Sequence, residues 1–282
     1  MPIDAIVNKE WLNVAVPDTH TVTTMLLPEE RQLLHYLASE YCEDRGCIVD
    51  AGCFLGGSTT ALALGVRGRQ RRIGRPTRTK IHSYDLFEAE EWTIGNLLPS
   101  SFTPRQSFRS MLDENIRNVA DLVEVHEGDI TSQPWAAGPI EILFIDCAKT
   151  WVVSDFITHH FFKALIPGHS IVIQQDYIWD CWNAWIHITM EYYRDYFRML
   201  TCTYPNSVVF LYEREIPALE PRLIGSMDAN MKLELMRRAR ERFEAPYRDY
   251  LERSHRQYVA SAAWADSGTD PEGHRRAAAI YR

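Results

Sequence analysis

Apolar positions recur along the chain in two different rhythms, and their order predicts an α/β fold. Short apolar runs that end in an acid or a turn predict strands at 47–51, 81–87, 122–127, 140–146 and 169–176. Apolar residues three or four positions apart predict helices at 28–43, 58–66, 105–119, 153–165 and 180–198. Because strand and helix alternate, the pattern predicts crossover units and a doubly wound, mostly parallel sheet.

The C-terminal third of the chain departs from this alternation. Two apolar runs around the turn at 204–207 predict an antiparallel hairpin, which brings the sheet to seven strands. Residues 228–255 mix apolar and charged positions and predict a helix packed by one face on the domain or on a second copy of the chain, a homo-oligomer. We therefore expect an N-terminal helical cap at 1–45, an α/β domain at 46–215 and a helical extension at 216–282.

Composition and charge restrict the partners and the compartment. The 282 residues are 46% hydrophobic and 24% charged, the balance of a globular protein, and the net charge of −8 argues against nucleic acid. We expect no membrane partner, because no apolar run is long enough to span a bilayer and the N-terminus lacks a signal pattern. Six cysteines without a Cys-x-x-Cys pair are typical of reduced thiols in a cytoplasmic protein.

The segment 67–80 carries seven lysines and arginines in fourteen residues. Such a segment could bind phosphate or a polyanion. It leads into the second strand, however, and therefore lies at the amino edge of the sheet, opposite the edge where ligands of open α/β sheets bind. A solvated loop is the favoured interpretation.

The segment 48–65, IVDAGCFLGGSTTALALG, contains the first candidate site. A buried strand carrying Asp50 runs into a turn with Gly52 and Gly56 and then into a helix, which brings backbone N–H groups against a ligand. The acid two residues before the first glycine would repel a pyrophosphate but suits an amino group or a sulfonium. Ser58 and its neighbour offer hydroxyl and N–H groups to a carboxylate. The pattern therefore favours S-adenosylmethionine over a dinucleotide, the ligand of the alternative class, an NAD-dependent oxidoreductase.

Acids also end the next three predicted strands. The second strand ends in Asp85, where an acid can accept both ribose hydroxyls, and Asp129 follows the third strand, within reach of an adenine amino group. Asp146 ends the fourth strand, beside the glycine turn in the usual strand order. Acids at the ends of four successive strands predict a single ligand-binding edge of the sheet.

Five motifs taken together resemble those of the class I S-adenosylmethionine-dependent methyltransferases. In chain order they are VDAGCFLGGST, SYDLF, HEGDI, FIDCAKTW and IVIQQDY, and the resemblance covers residues 24–215. TTMLLPEE, DAGCFLGGST and the Asp-Tyr after the fifth strand are most similar to the macrocin O-methyltransferase family, which acts on antibiotic sugars. The resemblance implies a Rossmann-like methyltransferase fold and methyl transfer to a small-molecule hydroxyl, that of a sugar or a glycosylated natural product.

The same resemblance implies a set of cofactor-binding residues. They are Asp50, Gly52, Gly56 and Ser58 around the methionine part, Asp85 at the ribose, Asp129 and Ile130 at the adenine, and Asp146.

The element Asp146-x-x-Lys149 resembles that of catechol- and caffeoyl-type O-methyltransferases, which bind a divalent cation near the acceptor hydroxyl. It implies Mg²⁺ bound by Asp146 and Asp176, with Lys149 as the candidate base. The sugar-methylating family ends its fifth strand in two consecutive acids, whereas this chain has Gln175 before Asp176. An amide oxygen can ligate Mg²⁺ but adds no charge. A metal-independent or non-catalytic S-adenosylmethionine-binding protein is therefore the second alternative.

The segment 176–197 is unusually rich in aromatic residues. Tyr177, Trp179 and Trp182 directly follow the fifth strand, and we expect one or two of them to form the acceptor wall by stacking on a ring. His187 and Glu191, four residues apart, predict a hydrogen bond on a helix surface in preference to a pair of metal ligands.

Overall fold

The structure, a computed structural model, describes residues 2–17, 22–179, 184–219 and 224–260. Its strands are β1 (Cys47–Ala51), β2 (Ile81–Asp85), β3 (Val123–Glu127), β4 (Ile140–Ile145), β5 (Ile171–Gln174), β6 (Phe197–Cys202) and β7 (Val208–Tyr212). They form one sheet in the order β3-β2-β1-β4-β5-β7-β6, and β6 and β7 are antiparallel. The predicted seven-stranded Rossmann-like sheet with a C-terminal hairpin is confirmed.

Helices connect and flank these strands. They are α1 (Pro2–Val7), α2 (Pro28–Tyr36), α3 (Gly57–Ile73), α4 (Arg109–Ile116), α5 (Trp151–Phe161), α6 (Ala184–Tyr192), α7 (Ala229–Glu241) and α8 (Tyr247–Ala260). Among the described residues, no helix combines the length and the apolar character that crossing a bilayer requires.

Parallel pairing places several strand ends at the same edge. β1 pairs with β2 and with β4, and β2 pairs with β3, all in parallel register. Every residue of β4 is buried, as expected for a parallel strand covered on both faces. Ala51 lies opposite Ile145, so the turn after β1 and the residue after β4 lie side by side.

The chain divides into two compact units. The first comprises Met1–Cys147 with His169–Ile173 and therefore contains β1 to β4 and α1 to α4. In it, α2 and α3 approach closely at Gly65, where a Cβ atom would lie 2.5 Å from the carbonyl oxygen of His35. The limits of these units differ from the domain boundaries that the sequence predicts at residues 45 and 215. Compact units do not test those boundaries, so the boundaries stay predictions.

The second unit comprises Ala148–Gly168 with Gln174–Arg282. The buried face of α7 includes Lys232, whose ammonium lies 4.5 Å from the ring centre of Trp151 and donates to the carbonyl oxygen of Gly225 at 2.8 Å. Asp155, on α5, accepts from the backbone N–H groups of Ile224 and Gly225. These polar contacts fix the segment before α7 on α5.

Three of the differences between predicted and observed elements change the description of the fold. Helix α3 continues to Ile73, so the first half of the basic segment is helical. The helix predicted at 180–198 ends at Tyr192, and β6 begins at Phe197. The single helix predicted at 228–255 is two helices, since α7 ends at Glu241 and α8 begins at Tyr247, directly after Pro246.

Candidate functional site

The turn after β1 requires glycine for two separate reasons. Gly52 has φ +103°, a conformation that residues with a Cβ rarely adopt. A Cβ at this position would also lie 2.9 Å from the carbonyl carbon of Asp146 and from the amide nitrogen of Cys147. The N–H groups of Gly52 and Cys53 both donate to the carbonyl oxygen of Tyr84, which binds the turn to the end of β2.

The turn ends at Gly56, which precedes α3 with φ +89° and makes no side-chain cap. Because the N-cap has no side chain, the N–H groups of the first helical turn can bind a ligand. A Cβ at Gly57 would lie 2.2 Å from Oγ1 of Thr24, so Thr24 packs directly on the start of the helix. Thr24 lies within the TTMLLPEE motif, but no local pattern predicts its contact with a turn more than thirty residues away.

Asp50 is fully buried beneath this turn. Its Oδ2 accepts from Oγ of Ser58 at 2.9 Å and from Oγ1 of Thr59 at 2.5 Å, in the first turn of α3. Its Oδ1 is buried and has no hydrogen-bond partner among the described residues. Burial raises the pKa of Asp50 to about 6, and the nearby Asp85 acts in the same direction, while the two hydroxyls oppose the shift. The hydroxyl of Ser58 is thus engaged by Asp50, not directed at a ligand as we expected.

Asp85, the last residue of β2, binds the glycine turn from the other side. Its Oδ2 accepts from the N–H of Phe54 and its Oδ1 from the N–H of Phe87, both at 2.8 Å. Burial raises the pKa of this carboxyl group too. Each oxygen retains a lone pair after these bonds, so the carboxylate can accept two further hydrogen bonds in a fixed orientation.

The remaining predicted cofactor residues of the first unit lie at neighbouring strand ends. Asp129 is exposed and caps a short helical turn by accepting from the N–H and the hydroxyl of Thr131, and Ile130 is buried beside it. The preceding Gly128 donates its N–H to the carbonyl oxygen of Asp85. Asp146 follows β4 and donates its N–H to the carbonyl oxygen of Ala51. The ends of β1, β2, β3 and β4 thus present the predicted acids at one edge.

The raised pKa of Asp50 predicts a pH dependence of stability. Its folded-state pKa lies above the ordinary value of 3.8, so the folded chain binds more protons between these values, and stability falls as pH rises from about 4 to about 6. Asn at this position cannot ionise. The difference in unfolding free energy, Asp50→Asn minus parent, should therefore increase by up to about 3 kcal/mol as pH rises from about 4 to about 6. Urea unfolding at both pH values measures this difference. A pH-independent difference would contradict the assignment.

In the second unit, the predicted base and a predicted metal ligand are paired with each other. The Lys149 ammonium donates to Oδ2 of Asp176, which follows β5 with φ +61°. Gln175 is buried, and its Oε1 has no hydrogen-bond partner among the described residues. Oxygen atoms suited to Mg²⁺ are therefore present, but a cation would have to displace the ammonium from the Asp176 carboxylate.

The aromatic residues predicted to line the site of the methyl acceptor differ in their environments. Tyr177 is 1% exposed, and its ring packs against His187, Phe210 and Phe243 in the core of this unit, not in an open wall. Trp179 is 44% exposed and can stack on a ligand. Trp182 lies outside the described residues.

His187 and Glu191 differ from the prediction of a surface hydrogen bond. Both are buried, and Nε2–H of His187 donates to the carbonyl oxygen of Tyr177 at 2.6 Å. Burial lowers the pKa of His187 to about 4, so the ring is neutral. Glu191 forms ion pairs with Arg194 and Arg242. The two side chains have separate structural partners.

Comparison with known proteins adds structural likenesses. No family model and no curated protein matches the sequence. Cofactor-bound Rv0187 from MTB is 14% identical and matches 76% of this chain and 91% of its own, with a TM-score of 0.48. The O-methyltransferase from Bacillus cereus in complex with SAH is 15% identical, over 74% and 89%, with a TM-score of 0.42. CalS11, a calicheamicin methyltransferase, is 16% identical, over 75% and 92%, with a TM-score of 0.46. At this level of similarity the matches assign neither a family nor an activity to this chain.

Proposed function

We propose that this chain binds S-adenosylmethionine at the ends of β1 and β2 and transfers its methyl group to a hydroxyl of a small molecule. The observation that carries the proposal is the burial of Asp50 against the first turn of α3. A dinucleotide would place its pyrophosphate at this helix N-terminus, where a carboxylate already lies. With Asp85 close enough to raise the pKa of Asp50, the site favours a cationic ligand over an anionic one.

The residues of the first unit fit the parts of this cofactor. Asp85 is oriented by two backbone N–H groups to accept the ribose hydroxyls. Gly52 and Gly56 let the backbone approach the ligand, and the N–H of Ser58 would bind its carboxylate. The cofactor's ammonium and sulfonium would offset the charge of Asp50. Asp129 and Ile130 remain our proposal for the adenine, and Asp146 for a further contact.

When bound, S-adenosylmethionine supplies an electrophilic methyl group, and in-line alignment with the acceptor oxygen gives much of the rate. The chain must also remove the hydroxyl proton. Lys149 can do so only after its own proton has left, and the Asp176 carboxylate next to it stabilises the protonated form. We therefore propose that acceptor or Mg²⁺ binding at Asp176 and Gln175 separates this pair. The role of Asp146 as a further ligand stays a prediction.

The acceptor class is proposed from the resemblance and from one exposed ring. The Asp-Tyr after the fifth strand resembles that of a sugar-methylating family, and Trp179, three residues after Asp176, exposes its indole. An indole face binds the C–H face of a sugar or an aromatic ring. A sugar hydroxyl of a glycosylated natural product is the acceptor that we propose.

Calorimetry on the full chain tests the cofactor, with S-adenosylhomocysteine and NAD as the two probes. We expect one equivalent of S-adenosylhomocysteine to bind and NAD not to bind. If only NAD binds, the methyltransferase proposal is wrong and an NAD-dependent oxidoreductase is favoured. Binding of S-adenosylhomocysteine without methyl transfer to any acceptor would favour the non-catalytic alternative, with which the Lys149–Asp176 pair is compatible.

Methyl transfer in EDTA, followed by addition of Mg²⁺, tests the metal. We expect activity to fall in EDTA and to return with Mg²⁺, and Asp176→Ala to lose the Mg²⁺ response. Full activity in EDTA, or a fully active Asp176→Ala protein, would refute the metal proposal while leaving the cofactor proposal intact.

Replacing Asp85 with Ala should weaken S-adenosylmethionine binding by about 2 kcal/mol, roughly 30-fold in Kd, because charged hydrogen bonds are lost. Asp85→Asn removes the charge but retains one oxygen that can accept from a backbone N–H. Comparing it with Asp85→Ala therefore separates the effect of the charge from the effect of a disordered glycine turn. Glu127→Ala is the matched control, since this exposed acid pairs with Asp85 in the register of β2 and β3. Equal affinities of the Asp85→Ala and Glu127→Ala proteins would contradict the ribose assignment.

A further inference from the structure

A second cluster of titratable side chains lies on the sheet away from the glycine turn. His82 on β2 is paired in parallel register with Glu124 on β3, and His126 follows two residues later on the same face. One ligand atom from each of the three residues lies within 4.8 Å of the other two. Asp85 is about 10 Å further along β2 and on the opposite face. The cluster is therefore distinct from the proposed cofactor site.

The distances within the cluster suit a tetrahedral metal ion. Nδ1 of His82 lies 3.0 Å from Nε2 of His126 and 3.8 Å from Oε2 of Glu124. Two ligands at tetrahedral angles around Zn²⁺ are about 3.4 Å apart. Both separations therefore differ from that value by only a few tenths of an ångström, which small side-chain rotations can supply. Without a metal, the two imidazoles share one hydrogen bond.

Burial favours the form of both imidazoles that binds metals. The pKa of His82 is lowered by burial, which outweighs the opposing charge of Glu124, and burial lowers the pKa of His126 as well. The direction of these shifts favours neutral imidazole, which is the ligand form. Glu124 is exposed and supplies a negative charge at the rim of the cluster.

Aromatic neighbours orient the two rings. His126 stacks on Tyr84 with ring centres 4.2 Å apart and planes at 9°, and the rings of His82 and Trp135 are nearly perpendicular with centres 5.0 Å apart. Trp135 is itself held by a hydrogen bond from Nε1 to the carbonyl oxygen of Gly138. Rings fixed by such contacts need little reorganisation to bind an ion.

We propose that His82, Glu124 and His126 bind a divalent transition-metal ion, Zn²⁺ in the first instance, with a fourth position left for water. Two nitrogens and one carboxylate match the preference of Zn²⁺, whereas Mg²⁺ prefers an all-oxygen shell. The site is independent of the proposed methyl transfer.

Zinc titration of the full chain, after EDTA treatment and desalting, tests the proposal by calorimetry. We expect one equivalent of Zn²⁺ to bind, and a large excess of Mg²⁺ not to compete. His126→Gln and Glu124→Gln should each weaken binding at least about tenfold. His160→Gln is the matched control, because His160 lies on α5 in the other unit and should leave the affinity unchanged.

Tryptophan emission gives a second, local measurement. Ni²⁺ bound at the cluster should quench the part of the emission that Trp135 contributes, and Trp135→Phe should lose this part while still binding Zn²⁺. Absence of a saturable equivalent of Zn²⁺, or parent-like affinity in both His126→Gln and Glu124→Gln, would overturn the proposal. If melting in EDTA shows that His126→Gln is misfolded, the exposed Glu124→Gln decides the question.

Discussion

A chain that ends after Met227 is expected to lose the folded state of its second unit. The truncation removes α7 and α8, whose apolar side chains are buried on one face. The buried residues are Leu235, Met236, Ala239, Phe243 and Leu251. At about 1.5–3 kcal/mol for each large side chain, their burial contributes roughly 10 kcal/mol, as much as the whole stability of many domains.

The truncation should also destabilise the part of the second unit that remains, because buried residues there lose their packing partners. Tyr177 would lose the Phe243 ring that lies 5.8 Å from its own, and Trp151 would lose the ammonium of Lys232 above its face. Both aromatic rings are buried in the parent chain and would be exposed in the truncated one. We therefore expect a melting temperature lower by more than about 10 °C, or no cooperative transition for this unit.

The matched control ends after Ala260 and keeps both helices. Circular dichroism should give this control the parent melting temperature, and light scattering should report the mass of each protein. If the chain ending after Met227 has the parent melting temperature and mass, α7 and α8 are a solvated extension. If only the mass changes, they form a contact between copies.

The strand ends could be predicted from the sequence because their pattern is local. An apolar run that stops at Asp85 or Asp146 identifies the end of a buried strand without reference to the rest of the chain. Parallel pairing then places such ends at one edge, which the register of β1 with β2 and β4 confirms.

The burial and the contacts of the residues after the fifth strand could not be predicted in this way. Tyr177 and Trp179 are two residues apart, yet one is buried and the other exposed, because the chain turns sharply after Asp176 at φ +61°. The same turn directs the Asp176 carboxylate to Lys149. Sequence spacing carries no information about such a loop conformation.

The buried face of α7 shows a limit of hydrophobic patterning. Met231 is apolar but 48% exposed, while its charged neighbour Lys232 is buried. An ammonium is tolerated there because the carbonyl oxygen of Gly225 and the ring of Trp151 replace its water. Both partners are tertiary contacts, so the sequence pattern alone assigns this position to solvent.

Replacing Gly52 with Ala should destabilise the first unit by about 3 kcal/mol. One part of the cost is a residue with a Cβ at φ +103°, and the other is contact of that Cβ with backbone atoms of Asp146 and Cys147 at 2.9 Å. Backbone atoms cannot rotate away as a side chain can, so either β1 or β4 must shift. That shift would also move the turn that Asp85 holds, and affinity for S-adenosylhomocysteine should fall with stability.

Gly74→Ala separates the two costs. Gly74 also has a left-handed conformation, φ +69°, at the end of α3, but a Cβ there meets no atom within 4 Å. It should therefore lose only the conformational part, about 1 kcal/mol, and keep the parent affinity. Urea unfolding and calorimetry on both variants check the comparison. Equal losses at the two glycines would show that the close approach of β1 to β4 does not determine the geometry of the turn.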